Sequence, residues 1–226
     1  NSERYALHFY QGGIGLPDRD YYFDKDERTV TIRNEYVKHI SKMFQLTGID
    51  AATADTYAQT IMKMETDFAG ASRKLADLRD PYANYNSMAV ADVNKLCPAI
   101  NWESFLADAG IKNIDTIIVG QPEFFKQLNT SLTKESVDNW KIYLQWNLIN
   151  AYADRLSSDF DKEHFHFYGT ILNGTKEQRA RWKRVLDAEE DAMGFLLGQL
   201  YVEAYYPPEA KARYEKIVEN TMAAYK

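Results

Sequence analysis

Apolar residues recur at helical spacing along most of this 226-residue chain, and this periodicity limits the fold to a mainly helical one. After Asp24 and Asp26, either of which can cap a helix, one amphipathic helix is predicted to continue to Gly48. A second is predicted from about Thr53 to the break at Asp80-Pro81. The predicted apolar stripe of that helix includes Ser72, Leu75 and Leu78 near its end.

Further helices are predicted in the rest of the chain. Short ones are expected around residues 90–96 and 102–109, and Pro122 stands where another would begin. Thr133 can cap a helix whose broad apolar stripe from Val137 to Leu156 predicts a buried central element. A long helix is predicted from Thr175 to Tyr206, and Pro208 can open the last. Two tryptophans on these stripes are expected in the core: Trp140 and Trp182.

Two short segments are typical of β-strands. Residues 4–10 are aromatic and roughly alternating, and the glycine-rich turn that follows ends at Pro17. Since one hairpin is marginal in water, this strand is expected to pair with sequence outside the 226 residues. Residues 116–119 form a second candidate strand. The predicted fold class is mainly α, with one or two short N-terminal strand segments.

Composition indicates one soluble, packed domain spanning residues 1–226, with room for two lobes. Hydrophobic residues make up 45% of the chain and charged residues 27%, close to globular averages. Cys97 is the single cysteine, so no intrachain disulfide can form, and cytosol and bacterial periplasm both remain open. No apolar run is long enough to span a bilayer, and any targeting segment is expected to precede Asn1.

The charge pattern argues against nucleic acid as a partner. The formal net charge is −6, and basic residues are interspersed with acidic ones. The longest basic cluster, within residues 176–184, is followed by acidic residues at 187–191. A solvated helix face with ion pairs is the preferred interpretation of this segment.

No self-contained active site is predicted. None of the four histidines begins an H-E-x-x-H motif, and His164 and His166 would diverge on a helix. Cys97 precedes a proline with no predicted base beside it, so a buried or half-buried thiol is expected. Paired carboxylates such as Glu189 and Glu190 are better explained by a helix face. We therefore predict neither a catalytic residue nor a metal ligand in the chain.

Three separated segments carry a family resemblance. The first is Gln-Gly-Gly-Ile-Gly-Leu-Pro-Asp-Arg-Asp-Tyr-Tyr at residues 11–22. The second is Leu-Arg-Asp-Pro-Tyr at 78–82 with Tyr-Asn-Ser-Met at 85–88. The third runs from Phe-Tyr-Gly at 167–169 through Arg-Trp-Lys-Arg at 181–184 to Gly-Gln-Leu-Tyr-Val at 198–202. Together they resemble the N-terminal, non-catalytic region of the M13 zinc peptidases, the family of neprilysin and the endothelin-converting enzymes.

The resemblance implies a particular role for the chain. It implies a multi-helix lobe that caps a thermolysin-like catalytic domain and encloses a chamber for small peptides. Zinc and the catalytic residues are then expected in the C-terminal catalytic domain of the parent protein, and this fragment alone is expected to be inactive. The single cysteine departs from the disulfide-rich animal enzymes. It favours a bacterial-type member, for which the resemblance implies a location outside the cytoplasm, in the periplasm or cell envelope.

The first segment supplies the candidate site, as a structural motif and candidate gate. Its glycines permit a tight reversal and Pro17 fixes the exit, so a structural role is preferred over direct contact with substrate. Two other functions remain open: a helical protein-interaction module without a peptidase domain, and an independent hydrolase with paired carboxylates. The candidate residues are Gly13, Gly15, Leu16, Pro17, Arg19, Asp20, Tyr21 and Tyr22.

Overall fold

A computed structural model describes residues 6–225, which contain ten α-helices and one three-stranded sheet. The mainly helical fold class is therefore confirmed. The chain divides into two compact units, the first ending at Lys176 and the second beginning at Glu177. The helices of the first unit are α1 (Asp20–Phe23), α2 (Glu27–Leu46), α3 (Ala51–Ala71), α4 (Val90–Leu96), α5 (Trp102–Asp108), α6 (Pro122–Lys134), α7 (Val137–Tyr152) and α8 (Ser158–His164).

The sheet is built from three short strands in the order β1-β3-β2. β1 (Leu7–Phe9) runs parallel to the central β3 (Thr116–Val119), and β2 (Ser87–Ala89) runs antiparallel to it. The predicted strand at 116–119 is confirmed. The expectation that the opening strand pairs with sequence outside the chain is wrong, because β1 pairs with β3 of the same chain. Arg4 and Tyr5, which belong to the predicted opening strand, lie outside the described residues.

α2 and α3 form the helical pair at the centre of the first unit. Both begin at an aspartate whose side chain accepts a backbone N–H: Asp26 from Thr29 at 2.9 Å and Asp50 from Thr53 at 3.0 Å. Such caps satisfy donors that the first helical turn leaves free. The predicted helix that ends before Gly48 is thus confirmed.

α3 ends earlier than its apolar periodicity predicts. The helix stops at Ala71, and the expectation that it continues to Pro81 is wrong. Ser72 donates its hydroxyl to Phe68 O at 2.9 Å, while the Gln11 side chain binds both the N–H and the carbonyl of Arg73. These contacts occupy the backbone groups that another helical turn would need.

α7 buries one face only. Tyr143, Trp146 and Ile149 are buried, whereas Val137, Leu144, Leu148, Tyr152 and, just past the helix, Leu156 are exposed. The prediction of a buried central helix is therefore wrong for the outer face of α7. Its cap also differs from the prediction, because Ser136 accepts from Asn139 N at 3.1 Å, whereas Thr133 lies in α6 and bonds to Asn129 O. Trp140 is partly buried against the second core cluster defined below.

Two hydrophobic clusters form the core of the first unit. The first cluster packs α2, α3 and α7 against a π-helical segment, Phe165–Leu172, around Tyr36, Trp146 and Phe167. The second cluster joins the sheet to α4, α5 and α6 around Trp102 and Phe125. α3 contributes to both, with Ile61 in the first and Phe68 in the second. α3 therefore packs into both clusters.

The second unit consists of α9 (Arg181–Tyr205) and α10 (Pro208–Ala224). α9 begins six residues after the predicted start at Thr175, and Met193 interrupts its helical geometry with φ −144° and ψ 26°. Trp182 is 65% exposed, so the expectation that it lies in a core is wrong. Across the described residues, none of the helices combines the length and apolarity needed to cross a bilayer.

Candidate functional site in the glycine-rich loop

Residues 11–22, hereafter the glycine loop, connect β1 to α1 and include the first residues of that helix. Gly13 has φ +75°, a region that residues with a side chain rarely adopt. Tyr143 donates its hydroxyl to the Gly13 carbonyl at 2.7 Å. A Cβ at position 13 would lie 2.6 Å from that same hydroxyl oxygen. Backbone conformation and α7 packing thus both require glycine here.

Both backbone polar groups of Gly15 are hydrogen-bonded. Its N–H donates to Glu65 Oε2 at 3.2 Å, and its carbonyl accepts from the Tyr168 hydroxyl at 3.2 Å. A Cβ at this position would lie 1.9 Å from the hydroxyl oxygen of Tyr36. The glycine therefore allows the backbone to touch a buried side chain of α2.

Glu65 is the hub beneath the loop and is 1% exposed. The Tyr22 hydroxyl donates to Oε2 at 2.6 Å, and the Tyr36 hydroxyl lies 3.0 Å from both oxygens. Desolvation raises the pKa of Glu65 to about 7, while hydrogen bonds from Tyr22, Gly15 and Tyr36 oppose part of this rise. Burial and the neighbouring carboxylate also raise the pKa of Tyr22 and Tyr36, so both phenols stay protonated donors.

The second half of the loop is held by hydrogen bonds within the loop and by one to α3. The Leu16 N–H donates to the Tyr22 hydroxyl at 3.1 Å, and the Leu16 side chain is buried. Asp18 accepts from the N–H of Asp20 at 2.7 Å. Arg19 donates from Nε to Ala69 O at 3.2 Å. The Tyr22 hydroxyl thus bonds both to the loop backbone, at Leu16, and to Glu65.

The remaining candidate residues lie towards the surface. The Arg19 guanidinium lies 5.3 Å from the centre of the Phe23 ring. The Asp20 carboxylate lies 3.6 Å from Lys74 Nζ, both side chains being partly exposed. The Tyr21 carbonyl accepts from Arg33 at 2.9 Å, and Pro17 is exposed. These contacts fix the edge of the loop and leave Pro17 facing outward.

Gln11 connects the loop to the second resemblance segment. Its amide donates to Arg73 O at 3.0 Å and accepts from Arg73 N at 2.7 Å. Its own N–H donates to Gln121 Oε1 at 2.8 Å, and Gln121 donates to Asn84 Oδ1 at 2.6 Å. Asn84 lies between the two parts of that segment, so a chain of amides links segments about 70 residues apart.

The π-helical segment brings in the start of the third resemblance segment. Tyr168 is the residue whose hydroxyl binds the Gly15 carbonyl, and it accepts from Asn150 Nδ2 at 2.9 Å. π-helical geometry is rare and is often found at functional sites. The later parts of the third segment, residues 181–184 and 198–202, lie on α9 in the second unit.

A cavity of about 260 Å³ lies along the loop, next to the end of α3. Its walls include Gly12, Ile14, Pro17, Arg19 and Ser72. The side chains around the loop include the Glu65 carboxylate, the Gln11 amide, phenols and apolar groups. This arrangement can position a segment of chain or contact an extended ligand, and it contains no nucleophile paired with a base.

The histidines do not fit a zinc site. The buried ring of His39 is bound through Nδ1 to Glu163 at 2.9 Å, and the centre of the His164 ring lies 6.4 Å away. His166 is exposed, and His8 on β1 bonds to Tyr10. Zinc needs three or four donors at about 2.0–2.3 Å from one point. Within residues 6–225, no group of three or more His, Cys, Asp or Glu could hold a metal ion.

Cys97 is fully buried in the second cluster, as the sequence predicts. Burial raises the pKa of its thiol. A raised pKa leaves little thiolate at neutral pH, so the thiol is a poor nucleophile.

Glu65, Tyr143 and Tyr168 are partners of the loop that were not predicted from the sequence. One signal was available, because Glu65 occupies the same helical stripe as Ala58, Ile61 and Phe68. A carboxylate in the middle of an apolar stripe indicates a buried polar contact. The two tyrosines carry no such signal, since an apolar stripe explains them equally well.

The fold and the loop together define a mainly helical lobe of the neprilysin-like type. The family model described as Peptidase family M13 matches residues 1–226. The chain belongs to this family, as the N-terminal region of one of its members. The resemblance carried by the three segments is thereby confirmed.

Relatives and solved structures agree with this assignment. The chain is 25% identical to neprilysin-3 of Drosophila melanogaster and 28% identical to endothelin-converting enzyme 1 of Cavia porcellus; each match covers 100% of this chain and 30% of the relative. The open state of the zinc metalloprotease ZMP1 of Mycobacterium tuberculosis matches with a TM-score of 0.86 and 34% identity, over 98% of this chain and 34% of that one. PEPO of Lactobacillus rhamnosis shares the fold with a TM-score of 0.80 at 17% identity, over 94% of this chain and 34% of that one. The chain thus spans about a third of the length of the proteins it matches.

Proposed function

We propose that this chain is the substrate-enclosing, size-restricting lobe of a zinc metalloendopeptidase that hydrolyses small peptides. Its partner is the C-terminal catalytic domain of the same polypeptide, and the zinc belongs to that domain. The lobe determines which substrates reach the zinc and takes no part in the chemical step. Residues 1–226 act together as part of one enclosing domain.

One observation carries this proposal: the chain matches the M13 family along its whole length while spanning only about a third of its relatives. Its 226 residues contain no H-E-x-x-H motif, and its histidines do not fit a zinc site. The chemistry of the whole protein is therefore assigned to residues outside this chain. The lobe is left with admitting, enclosing and holding the peptide. Holding the peptide in place reduces the entropic part of the activation barrier, and enclosing it excludes water.

Three solved structures of ZMP1, in different states, match this chain. The chain matches the open state with a TM-score of 0.86, the partial open state with 0.79 and the inhibitor complex with 0.84. An open state and an inhibitor-bound state in a relative support our proposal that the parent protein opens and closes over a bound peptide. In our chain, the glycine loop is the element that couples α2, α3 and α7 of such a lobe.

We place the parent protein outside the cytoplasm, in the periplasm or cell envelope of a bacterium. The single cysteine is the sequence feature that favours a bacterial-type member over the disulfide-rich animal enzymes. Localisation of a tagged parent protein by cell fractionation tests this placement, and a cytosolic protein would contradict it.

A helical protein-interaction module is the second candidate function. The exposed apolar face of α7, with Val137, Leu144 and Leu148, favours it because such a face on a helix usually has a partner. The parent polypeptide discriminates between the two. A catalytic domain with H-E-x-x-H downstream of the lobe supports the peptidase, and a polypeptide without one supports the module.

The enzymatic test compares this chain with the parent protein on a short fluorogenic peptide. We expect the parent to cleave the peptide and to lose activity when a chelator removes its metal, with recovery on adding zinc. The isolated chain should cleave nothing under any of these conditions. Peptidase activity in the isolated chain that survives removal of trace metal would overturn the proposal.

A further inference from the structure

The carboxylate of Glu65 accepts hydrogen bonds both from the glycine loop and from the first core cluster. Oε2 faces the glycine loop, where it accepts from the Gly15 N–H at 3.2 Å and from the Tyr22 hydroxyl at 2.6 Å. The Tyr36 hydroxyl, in the core, lies 3.0 Å from both Oε1 and Oε2. Trp146 in turn donates from Nε1 to the Tyr36 hydroxyl at 3.3 Å. The side chain of Glu65 therefore joins the loop to the first core cluster.

No cation compensates the charge of Glu65 within the described part of the chain, where its contacts are all hydrogen bonds. The titratable groups that face it are phenols from four elements: Tyr22 on α1, Tyr36 on α2, Tyr143 on α7 and Tyr168 on the π-helical segment. Arg19, the cation of the loop, donates instead to Ala69 O.

The other buried titratable group of this core is His39 on α2. Its ring lies against Trp146 and Phe167, with centroid distances of 5.7 and 5.0 Å, and its Nδ1 is bound to Glu163. Trp146 contacts both His39 and Tyr36, so the histidine belongs to a second layer around Glu65.

We propose that Glu65 is a proton-operated latch for the glycine loop: a proton on Oε1 favours the closed loop, and loss of that proton favours release of the loop and hydration of the carboxylate. The proton is exchanged with solvent, and no bond other than O–H is made or broken. The inference concerns the loop itself and does not depend on the peptidase activity of the parent.

The hydrogen-bond geometry explains why the protonated form holds the loop. With the proton on Oε1, that oxygen donates to the Tyr36 hydroxyl, and the Tyr36 hydroxyl donates its own proton to Oε2, also 3.0 Å away. Oε2 remains free to accept from Gly15 and Tyr22, so both loop contacts survive. In the ionised form the same contacts hold a buried charge without a counterion, which is costly until the loop opens to water.

The direction of the effect follows from linkage. Burial raises the pKa of Glu65 from 4.5 to about 7 in the closed form, whereas a hydrated glutamate in the open form has an ordinary pKa. The closed form therefore binds the proton more tightly, and its advantage is complete below pH 4.5. That advantage is lost as the pH rises through 7.

Amide hydrogen exchange at Gly15 and Leu16 tests the latch on the intact chain. After correction for intrinsic exchange rates, protection of these amides should fall by a factor on the order of a hundred between pH 5 and pH 8. Protection of the Val119 amide, in the sheet, should change far less, because release is confined to the loop. Equal losses at all three amides would indicate global unfolding and overturn the latch.

Glu65→Gln is the decisive variant, because glutamine has nearly the same shape and does not titrate in this range. Its Gly15 and Leu16 amides should keep the same protection at pH 5 and pH 8. Glu103→Gln, on the exposed part of α5, is the matched control and should behave as the unmodified chain. His39 is present in both proteins, so any effect of its titration on amide protection cancels when the unmodified chain is compared with Glu65→Gln.

A direct titration keeps the proposal falsifiable if Glu65→Gln fails to fold. In the unmodified chain, the side-chain carboxyl carbon of Glu65 should titrate near pH 7 by NMR. Titration near the ordinary 4.5, or a pH-dependent loss of Gly15 protection that persists in a folded Glu65→Gln, would overturn the latch.

Discussion

The hydroxyl oxygen of Tyr36 occupies the space that a side chain at position 15 would need. A Cβ built on Gly15 would lie 1.9 Å from this oxygen and 2.9 Å from the ring carbon that carries it. Tyr36 is fully buried and is fixed by Trp146 and Phe167, with ring centres 6.0 and 5.3 Å away. The contact therefore ties the identity of residue 15 to the packing of α2.

We predict that Gly15→Ala lowers the free energy of unfolding by about 3 kcal/mol, because the tyrosine has no room to retreat. Urea denaturation measures the loss. Gly12→Ala is the matched control, since a Cβ at that position meets nothing within 4 Å, and it should change stability by less than about 0.5 kcal/mol. In a double-mutant cycle, Tyr36→Phe should recover part of the Gly15→Ala loss. Strict additivity would show that the two residues do not compete for space.

Gln11 should be the residue that ends α3. Gln11→Ala removes both hydrogen bonds to the backbone of Arg73, at 2.7 and 3.0 Å, and we expect a loss of about 1–2 kcal/mol. Amides near Ser72 and Arg73 should also exchange faster. Gln59→Ala, on the exposed face of α3, supplies the control and should change neither quantity. An unchanged exchange rate at Arg73 in Gln11→Ala would contradict the role of Gln11.

Two tryptophans should respond very differently to truncation. Trp146 is 1% exposed in the first cluster, so Trp146→Ala should cost about 3–5 kcal/mol. Trp182 is 65% exposed on α9, and Trp182→Ala should change the stability of this chain by about 0.5 kcal/mol or less. Thermal or urea unfolding measures both. Equal losses in the two variants would show that Trp182 is buried in solution.

His39 should titrate below its ordinary range. Burial lowers the pKa of its imidazole, while the hydrogen bond and the charge of Glu163 oppose that fall. A lowered pKa means that the stability contributed by neutral His39 is present above pH 6.5 and is lost as the pH falls towards the folded-state pKa.

Glu163→Gln should lower the pKa of His39 further, as read from the NMR shifts of its ring protons. Glu35→Gln, which removes the partner of Lys38 on α2, should leave it unchanged. A His39 pKa that rises in Glu163→Gln would contradict the assigned contact.

Local structure was predictable where the signal lies within a few residues. The caps of α2 and α3, the helix opened by Pro122 and the short strand at 116–119 follow from side chains beside the backbone they satisfy. The end of α3 was not predictable, because Gln11 is 62 residues away from the backbone it binds. The start of α9 was misplaced for a different reason, as polar residues before Arg181 are compatible with a helix that does not form.

The candidate loop was found by resemblance, and its partners were found only in the structure. Glycine content predicted that the backbone could adopt positive φ, and Gly13 does so, whereas Gly12 and Gly15 do not. The contacts from Tyr168 to Gly15 and from Tyr143 to Gly13 span 153 and 130 residues, and no local pattern encodes such distances. Whether the eight loop residues act as a gate stays a prediction.

The most direct test of the central claim is a length ladder of peptide substrates given to the parent protein and to a variant with a loosened loop. Arg19→Gln removes the contact with Ala69 O, and Lys42→Gln, on the exposed side of α2, makes the same charge change as a control. We expect Arg19→Gln to raise kcat/KM for long or unfolded chains while kcat for a short peptide falls modestly. The control should match the parent at every length. A properly folded Arg19→Gln protein with an unaltered size cutoff would contradict a gating role for this loop, and loss of all cleavage with zinc still bound would place the lobe in the chemical step.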